Sequence, residues 1–325
     1  MKICHFLTSS SYAGIEQHVA ELAYIQDINH EVTILCNKQI AGNYKEFNVI
    51  EISNFSRRSL FGIFKIYQIL NASKFDIVHA HASKPVSILR IVKYFLEFNF
   101  IASIHGIKKN VSVFNYADFV IGGSDGSLKG ITKPNTVIHN WYTLSTYKKE
   151  EEGQYAIAVG RLEKVKGFDL LIKSWVNIKT PLLIIGSGSE KQFLVDLINI
   201  LNLSDVITIV DWVNQDKLYE FYSKASLLVI SSRSEGGPRV ALEAFANDLP
   251  VLSTDVGHMN MILPKELLAD PDNLDSLKLL LETYVDHIDQ LNQSAIFNHV
   301  REEFTLEIQS SKVIKIYEDL TKSDL

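Results

Sequence analysis

The stretch SSRSEGGPRVALEAFANDLPVLSTDVG, residues 231–257, decides how this 325-residue chain is interpreted. It predicts a strand that ends at Arg233, then a glycine-rich turn, a helix and a second strand. Pro238 is expected to open the helix, because proline suits the first helical position. Two carboxylates, Glu235 and Glu243, stand eight positions apart, one in the turn and the other about two helical turns later.

A strand end followed by a helix start favours an anionic ligand. In open α/β sheets, ligands bind beyond the carboxyl ends of the strands, and the free N–H groups and dipole of a helix start attract anions. Gly236 and Gly237 allow a ligand to approach the backbone closely. Glu235 and Glu243 can accept hydrogen bonds from hydroxyl groups, so the spacing predicts a nucleotide sugar. A surface turn followed by a solvated helix glutamate explains the same spacing, and both interpretations stay open.

Short apolar runs alternate with amphipathic runs in both halves of the chain. Continuous runs of Val, Ile and Leu are typical of strands covered on both faces, and their alternation with helices predicts βαβ units with parallel sheets. We expect strands at residues 2–8, 31–36, 76–81, 100–105, 119–124, 136–140, 155–161, 181–188, 206–212 and 227–233. We expect helices at residues 14–27, 85–97, 168–178, 191–202 and 217–225.

A polar, highly charged stretch at residues 146–155 interrupts this rhythm and is predicted to be a linker. It divides the chain into an N-terminal domain of residues 1–150 and a C-terminal domain of residues 151–325. The charge supports this division, because the first part carries a balance of +5 and the second a balance of −11, which together give −6. A last helix, at about residues 305–322, is expected to pack back on the first domain.

Composition and short motifs argue against several classes of protein. A sequence pI of about 5.9 and the lack of a basic run with interleaved aromatics make nucleic acid an unexpected partner. Cys4 and Cys36 form no CxxC pair and are predicted to be small buried side chains. The apolar part of MKICHFLTSS is too short for a secretory signal, and no apolar run approaches the roughly 18 residues that span a bilayer. We therefore expect a cytoplasmic protein.

Residues 234–257 resemble the hallmark segment of glycosyltransferase family 4, in which Glu-Gly-Phe-Gly precedes Leu-Glu-Ala and a strand ending in Thr-Asp-x-Gly. AVGRLEKVKGFDLLIKSW, residues 158–175, is similar to the other signature of the family. Shorter matches in family order extend the resemblance over nearly the whole chain, at residues 11–19, 78–83, 103–106, 137–140 and 184–190. The resemblance implies a retaining enzyme of the GT-B fold, an α/β architecture of two doubly wound Rossmann-like domains facing across a cleft.

The resemblance also implies roles for individual residues. Arg161 and Lys166 would clamp the donor diphosphate, which agrees with the affinity of guanidinium and ammonium groups for phosphate oxygens. Glu243 would bind the nucleotide ribose, Glu235 would bind hydroxyls of the transferred sugar, and His105 would lie near that sugar. The candidate catalytic residues are therefore His105, Arg161, Lys166 and Glu235. The further donor-binding candidates are Gly14, Gly186, Gly188, Gly236, Gly237, Pro238, Arg239, Val240 and Glu243.

Ordinary structural roles also explain these residues, and the chain departs from the family pattern at two places. The cations can be ordinary surface residues, and His105 can be a strand-end histidine satisfied by the backbone. Gly237 and Pro238 replace the phenylalanine and the second glycine of the family, so that one backbone N–H is lost. Arg239 stands where an apolar residue is common, and it can face phosphate, acceptor or solvent. These departures concern the identity of the donor more than the class of reaction.

No cofactor and no metal is implied beyond the nucleotide-sugar co-substrate. The DPD at residues 270–272 spells the D-x-D of metal-using transferases, but its position outside the phosphate blocks favours a turn with helix-capping aspartates. His79 and His81 face the same side of one strand, and we interpret them as core or cleft-lining residues. The family chemistry uses no obvious side-chain nucleophile. The leaving diphosphate would help to deprotonate the acceptor on the face from which it departs.

The expected acceptor is a hydroxyl of a growing cell-surface glycan, free or lipid-linked, such as lipopolysaccharide or capsule, and the expected donor nucleotide is UDP rather than GDP. The basic first half suits an anionic membrane surface, at the inner face of the membrane. RRSLFGIFKIYQIL, residues 57–70, combines Arg57, Arg58 and Lys65 with apolar side chains at roughly helical spacing, as in helices that lie on membranes. A helix packed on its own sheet explains this stretch equally well.

Three other interpretations stay open. Another GT-B enzyme, such as a nucleotide-sugar epimerase or a phosphorylase, would need acid–base carboxylates or a cofactor lysine that the sequence does not display. A non-catalytic nucleotide-sugar-binding subunit is kept open by the departures at Gly237 and Pro238. A dinucleotide-dependent oxidoreductase would need a G-x-G-x-x-G fingerprint, of which GSGSEK at residues 186–191 has only the first two glycines.

Overall fold

The computed structural model of the chain describes residues 1–142 and 153–322. The chain forms two compact units, of which the first comprises Met1–His139 with the chain from Leu306 onward and the second comprises Asn140–Thr305. The predicted boundary at residue 150 and residues 146–152 of the predicted linker lie outside the described residues. Each unit has a parallel sheet and its own apolar core.

The first unit is built on seven strands, β1 (Lys2–Phe6), β2 (Glu31–Asn37), β3 (Asn48–Ile52), β4 (Ile77–His81), β5 (Asn99–Ile104), β6 (Phe119–Gly122) and β7 (Asn135–Val137). They form one parallel sheet in the order β3-β2-β1-β4-β5-β6-β7. Its helices, numbered along the whole chain, are α1 (Gly14–Asp27), α2 (Lys38–Ala41), α3 (Leu60–Ser73), α4 (Ser83–Val92), α5 (Asp125–Leu128) and α13 (Leu306–Lys322). The last helix, α13, packs against α1.

The described residues of the second unit form six strands, β8 (Tyr155–Val159), β9 (Leu182–Ile185), β10 (Ile207–Val210), β11 (Ala225–Ile230), β12 (Val251–Thr254) and β13 (Leu268–Ala269). They form a parallel sheet in the order β10-β9-β8-β11-β12-β13. The helices of this unit are α6 (Phe168–Ser174), α7 (Lys191–Ile200), α8 (Gln215–Lys224), α9 (Arg239–Ala246), α10 (Met259–Ile262), α11 (Leu274–Tyr284) and α12 (Ser294–Glu303). Two α/β units with all-parallel sheets confirm the predicted fold class.

Large apolar side chains fix each sheet to its helices. Phe100 and Phe114 are fully buried in the first unit, and Trp175 and Phe245 are fully buried in the second. Cys4 and Cys36 are buried free thiols, as the sequence predicted. Within residues 1–142 and 153–322, no helix is both long and apolar enough to cross a membrane.

Strand β3 was not predicted, because its sequence NVIEI lacks the continuous apolar run that marks the buried strands. Its position at the edge of the sheet explains this, since only Ile52 is buried there. Helix α3 begins at Leu60, three residues later than the predicted amphipathic run, because Ser59 Oγ accepts a hydrogen bond from the Gly62 backbone N–H at 3.2 Å and caps the helix.

The apolar residues of α3 divide between two sides of the helix. Ile63, Ile66 and Leu70 are buried against the sheet, as expected for an ordinary helix of this architecture. Leu60 and Phe61 lie on the other side, with exposures of 84% and 80%. Phe64 is also exposed. The buried face fits the interpretation of a helix packed on its own sheet, and membrane contact through the exposed face remains a prediction.

Candidate functional site

The candidate donor-binding residues of the second unit lie in three loops at one edge of its sheet and in helix α9, which follows the last of these loops. Strands β9, β8 and β11 are neighbours and run in the same direction. Gly186 and Gly188 follow β9, Arg161 and Lys166 follow β8, and the glycine-rich turn follows β11. The carboxyl ends of parallel strands meet at one edge, so the three loops lie side by side where ligands of open α/β sheets bind.

Lys166 and Glu235 are joined directly across two of these loops. Lys166 Nζ lies 2.5 Å from Glu235 Oε1, and the two side chains are only 19% and 16% exposed. Ser232 Oγ donates to the same carboxylate oxygen at 2.7 Å. A charge-assisted hydrogen bond that is mostly shielded from water is stronger than a surface pair. The contact therefore holds a cation and a carboxylate in fixed positions at the sheet edge.

Arg161 differs from Lys166, because its guanidinium is 69% exposed and pairs with Glu163 at 2.7 Å. An exposed pair of this kind contributes little to stability. The backbone around it is firmly held, since Leu162 N–H donates to Ser187 O at 2.8 Å and Glu190 N–H donates to Leu162 O at 2.9 Å. Arg161 thus offers an exposed cation on a firmly held loop, which is suitable for a phosphate group.

Gly186 and Gly188 are required by the packing of the loops. A Cβ atom on Gly186 would lie 1.9 Å from Gly160 O, and one on Gly188 would lie 2.4 Å from Leu162 O. Gly167 was not singled out in the sequence, although it has φ +66° and a Cβ there would lie 2.0 Å from Ser231 O. These glycines bring the three loops into backbone contact, and this packing explains them without a ligand.

The glycine-rich turn after β11 is packed by its own unit. Gly236 is buried, and Gly237 O accepts a hydrogen bond from Asn140 Nδ2 at 2.6 Å. A Cβ on Gly237 would lie 2.7 Å from His258 Nδ1, so a larger residue cannot stand there without a shift of the histidine. The family phenylalanine is therefore absent from a position that His258 crowds.

Pro238 is the N-cap of α9, and the helix begins at Arg239 rather than at Pro238 as predicted. The correction moves the helix start by one residue, so the backbone N–H groups of Arg239 and Val240 are the first of the helix. The Val240 side chain packs against the core of the second unit. Arg239 is half-buried, so the alternative in which it simply faces solvent is wrong.

Glu243 is a buried carboxylate with only 7% exposure, so the alternative of a solvated helix glutamate is also wrong. Tyr222 Oη donates to Glu243 Oε2 at 3.4 Å from helix α8. Burial and the nearby Glu243 charge raise the pKa of Tyr222 well above its ordinary value. Sequence analysis missed Tyr222 as a partner of Glu243. The only signal for it is its spacing of three residues from Tyr219, which places both tyrosines on one face of α8. A carboxylate kept this deep is positioned for directed hydrogen bonds.

Arg233 was also missed as a functional candidate. Its side chain holds the loop that contains Lys166. Its guanidinium forms a two-pronged contact with Asp169, at 2.7 and 2.8 Å, and donates to Lys164 O at 2.7 Å. Burial alone would raise the pKa of Asp169, but the hydrogen bonds and charge of Arg233 lower it. Most N–H donors of Arg233 are therefore used to hold neighbouring loops.

The DPD turn at residues 270–272 contributes to the same anchor. Asp272 Oδ1 accepts a hydrogen bond from Arg233 Nε at 2.5 Å. The prediction that these aspartates cap the next helix is wrong, because Asn273 is the N-cap of α11 and its side chain accepts from the Ser276 N–H. Asparagine is an equally good cap, and Asp272 is thereby left to pair with Arg233.

Gly14 and His105 belong to the first unit. Gly14 is the first residue of α1 rather than part of the preceding loop, and a Cβ there would meet no atom within 4 Å. The packing of the unit therefore does not require a glycine at this position. His18, one turn further along α1, has its ring centroid 5.0 Å from that of His105, so α1 contacts His105 through His18.

His105 is half-buried just after β5 and is hydrogen-bonded to another histidine. Its Nε2 lies 3.1 Å from Nδ1 of His81. Burial, followed by the charge of Lys108, lowers the pKa of His105 to about 4. His105 is therefore neutral at neutral pH. The sequence left open that the backbone would satisfy the His105 ring. The partner of its Nε2 is instead the side chain of His81.

His79 and His81 are core residues, each 1% exposed, and with His5 they come close enough together to share one metal ion. Every ring nitrogen of the three is already hydrogen-bonded to a side chain. These contacts explain the cluster without a metal. Independence from metal remains a prediction.

Two family models match the chain over most of its length. Residues 144–293 match the model described as glycosyl transferases group 1, and residues 2–112 match the model described as glycosyl transferase 4-like. The chain is 25% identical over 338 aligned residues to an uncharacterized glycosyltransferase of Methanocaldococcus jannaschii, with 95% of each chain covered.

A second relative has a defined activity in its name. The chain is 27% identical over 189 residues to N-acetylgalactosamine-N,N'-diacetylbacillosaminyl-diphospho-undecaprenol 4-alpha-N-acetylgalactosaminyltransferase of Campylobacter jejuni, covering 52% of this chain and 51% of the relative. Among solved structures, Anabaena HepE in complex with UDP-glucose superimposes with a TM-score of 0.84 at 17% identity, covering 98% of this chain and 100% of that chain. This similarity in structure confirms the GT-B fold.

Proposed function

The chain belongs to glycosyltransferase family 4, and from this we propose that it transfers a sugar, with retention of configuration, from a nucleotide-diphosphate sugar to a hydroxyl of a growing glycan. The observation that carries the proposal is the contact of Lys166 with Glu235 beside the start of α9. It joins a phosphate-binding cation to a hydroxyl acceptor at the edge of the sheet where ligands bind.

The residues of the second unit supply complementary groups for each part of the donor. Arg161 and Lys166 would bind the diphosphate together with the first N–H groups of α9. Glu243, buried beside Tyr222, would accept hydrogen bonds from the ribose. Glu235 would accept from a hydroxyl of the transferred sugar while its other side keeps Lys166 in place. Pro238 contributes no N–H, so the side chains provide more of the binding than in the family pattern.

The reaction is a displacement in which the leaving group does part of the acid–base work. The bond between the anomeric carbon and the diphosphate oxygen breaks, and the acceptor oxygen forms a bond to that carbon on the same face. The departing diphosphate takes the proton of the acceptor hydroxyl. Lys166 and Arg161 would stabilise the charge that develops on the diphosphate, which is where fixed cations contribute most to the rate.

A UDP donor and a lipid-linked or cell-surface glycan acceptor are the finer parts of the proposal. The HepE structure contains UDP-glucose, and the Campylobacter relative is named for transfer to a diphospho-undecaprenol-linked sugar. A GDP donor is the alternative. The chain would then act in polysaccharide assembly such as that of lipopolysaccharide or capsule.

Exposed apolar side chains on α3 support contact with an anionic membrane surface. Leu60, Phe61 and Phe64 protrude together, and the exposed Arg57 and Arg58 precede them. The two arginines and Arg90 line a hollow of about 380 Å³ beside this patch. Apolar side chains flanked by cations are the pattern that inserts into anionic lipid interfaces. A lipid-linked acceptor would be presented from such a surface.

Thermal unfolding with ligands tests the donor site directly. The full-length protein would be heated with excess UDP, GDP, CDP, dTDP or NAD, and with no ligand. A ligand at about 100 times its Kd adds about 2.7 kcal/mol of stability, which raises the Tm by a few degrees. We expect a shift with UDP. A shift with NAD alone would overturn the transferase proposal.

Turnover then separates the transferase from a non-catalytic sugar-binding subunit. Release of UDP from UDP-glucose, UDP-galactose and UDP-N-acetylgalactosamine would be measured with a lipid-linked glycan extract as acceptor. An enzyme releases UDP and labels the acceptor with the same anomeric configuration as the donor. Binding of UDP without any release across these donors would favour the subunit.

A further inference from the structure

A row of histidines crosses the first unit beneath His105. His5 on β1 is the register partner of His79 on β4, and His81 on β4 is the partner of Ser103 on β5. His5, His79 and His81 are at most 1% exposed. Four of the ten histidines of the protein thus meet here, on the neighbouring strands β1 and β4 and in the loop that follows β5. Buried polar rings of this number are costly unless their hydrogen bonds are satisfied.

Three of these rings form one continuous hydrogen-bonded chain that begins at a glutamine. Gln26 Oε1 lies 2.7 Å from His5 Nε2. His5 Nδ1 lies 3.0 Å from His81 Nε2, and His81 Nδ1 lies 3.1 Å from His105 Nε2. His5 and His81 each use both ring nitrogens, and His105 uses Nε2. The hydrogen-bonded chain therefore runs from Gln26 on α1 to His105.

All three rings are neutral at neutral pH. Burial lowers the pKa of His5 and of His105 to about 4 and lowers that of His81 well below its ordinary value. A neutral imidazole has one N–H donor and one acceptor nitrogen. Each hydrogen bond between two rings needs one donor and one acceptor nitrogen. The three rings therefore have only two allowed arrangements: all carry the proton on Nε2, or all carry it on Nδ1.

The amide oxygen of Gln26 selects one of the two. Because Gln26 Oε1 can only accept, His5 Nε2 carries the proton and His5 Nδ1 accepts. His81 must then donate from Nε2 and accept at Nδ1, and His105 must donate from Nε2. The lone pair of His105 is thereby placed on Nδ1, at the end of the chain.

We propose that Gln26, acting through His5 and His81, holds His105 in the Nε2–H tautomer, so that His105 Nδ1 accepts a hydrogen bond from a hydroxyl of the transferred sugar. The functional part rests on the proposed role of His105 in the transfer. Gln26, His5 and His81 are positioning residues, since each acts on the sugar only through the next ring.

His79 provides an internal control because it lies beside the chain without belonging to it. Its Nδ1 is hydrogen-bonded to Tyr317 Oη at 2.6 Å and its Nε2 to Ser103 Oγ at 2.7 Å. The Ser103→Ala variant removes one buried hydrogen bond from the cluster, as a change at Gln26 does, but leaves the chain to His105 intact.

Ring-nitrogen NMR of the free, full-length protein measures the tautomer without any substrate. The His105→Asn variant identifies the His105 signals by their loss. In the wild type we expect a protonated Nε2 and an unprotonated Nδ1 on His105. In Gln26→Met, His5 Nε2–H would be a buried donor without an acceptor, which is costlier than an unfilled lone pair. The protons should therefore move to the other side of every ring, so that His105 becomes Nδ1–H.

We expect Gln26→Met to lower turnover about tenfold, because the required acceptor on His105 becomes a donor. In Ser103→Ala, both the His105 tautomer and the turnover should stay close to wild type. A protonated Nδ1 on wild-type His105 would overturn the proposal, and so would an unchanged tautomer in Gln26→Met. If that variant does not fold, the wild-type spectrum decides. A confirmed tautomer in a protein that transfers no sugar would refute the proposed function and leave the hydrogen-bonded chain established.

Discussion

The two units share one architecture but equip the carboxyl edge of their sheets with opposite chemistry. The second unit places a charged pair there, Lys166 with Glu235, in partly shielded contact. The first unit places neutral histidines there, linked through a buried chain that ends at His105. A charged edge suits a ligand that carries or develops charge, such as a diphosphate. A neutral edge suits hydroxyl groups, for which the direction of each hydrogen bond matters more than the net charge.

The balance of charge in each half of the sequence does not reveal this difference. The half that contains Lys166 has a net balance of −11, and the half that contains the neutral histidines has a balance of +5. A few positioned side chains, rather than the total charge, determine what each edge can bind. The following variants would break or sharpen the contrast.

Removing the cation from the charged edge should have the largest effect. We expect Lys166→Met to lower turnover about a thousandfold, because the charge on the departing diphosphate loses its nearest fixed cation. Lys164→Met, in the same loop but exposed, is the matched control and should stay near wild type. Assays of UDP release and a Tm for each variant would check this. Equal activity of both variants would show that the charged edge is not the donor site.

Removing the apolar patch of the first unit should have the next largest effect. The double variant Leu60→Ser with Phe61→Ser should weaken binding to vesicles containing phosphatidylglycerol about a hundredfold, because both side chains lose apolar contact with the lipid. Trp212→Ser, at a site 70% exposed in the second unit, is the control and should bind as wild type does. Flotation assays measure both. Equal loss in both variants would assign membrane contact to general hydrophobicity.

Arg233 tests whether the charged edge depends on its anchor. Arg233→Met should lower the free energy of unfolding by about 2 kcal/mol, because Asp169 loses a two-pronged, largely shielded partner. Arg161→Met, which breaks an exposed pair, should change it by less than about 0.5 kcal/mol. Urea unfolding measures both values.

The effect of Arg233→Met should also depend on pH in a fixed direction. The pKa of Asp169 is lowered in the folded protein, so its stabilisation is complete above the unfolded pKa and is lost as the pH falls through the folded pKa. The difference between wild type and variant should therefore narrow below about pH 4. A difference that widens in acid would show that Asp169 is not the group involved.

A change of Glu243 should have the smallest effect, and this effect should be limited to binding of the ribose. We expect Glu243→Gln to weaken UDP binding about tenfold and to remove most of the preference for UDP over 2′-deoxy-UDP, since a neutral amide is a poorer acceptor than a carboxylate. Tyr222→Phe keeps the carboxylate and should retain that preference. Calorimetric titration of the two nucleotides distinguishes the variants. Retention of the preference in Glu243→Gln would place the ribose elsewhere.

Local sequence patterns predicted the elements of the fold well, because they depend on neighbours along the chain. Helix α1 spans Gly14–Asp27 as expected from its apolar spacing, and β8, β9 and β11 lie within their predicted runs or within two residues of them. The start of α9 differs by one residue, because Pro238 stops just outside the helix as its N-cap.

The partners of the site residues could not be predicted, because they depend on which strands become neighbours. Lys166 and Glu235 are 69 residues apart and meet only because β8 pairs with β11. Likewise, His5 and His81 are separated by 76 residues and meet through the pairing of β1 with β4. A single sequence contains the residue types but not these pairings. The burial of Glu243 depends in the same way on Tyr222 from another helix.

Helix α13 follows the second unit in sequence but belongs to the first unit, and this has a consequence for synthesis. Helix α13 packs on α1, and Tyr317 supplies the hydrogen bond to His79 from near the end of the chain. During translation, the first unit therefore lacks α13 and the hydrogen bond of Tyr317 to His79 until the second unit has been synthesised. The second unit, continuous from Asn140 to Thr305, can fold before the first is complete. The second unit can therefore complete its fold first, although its synthesis begins later.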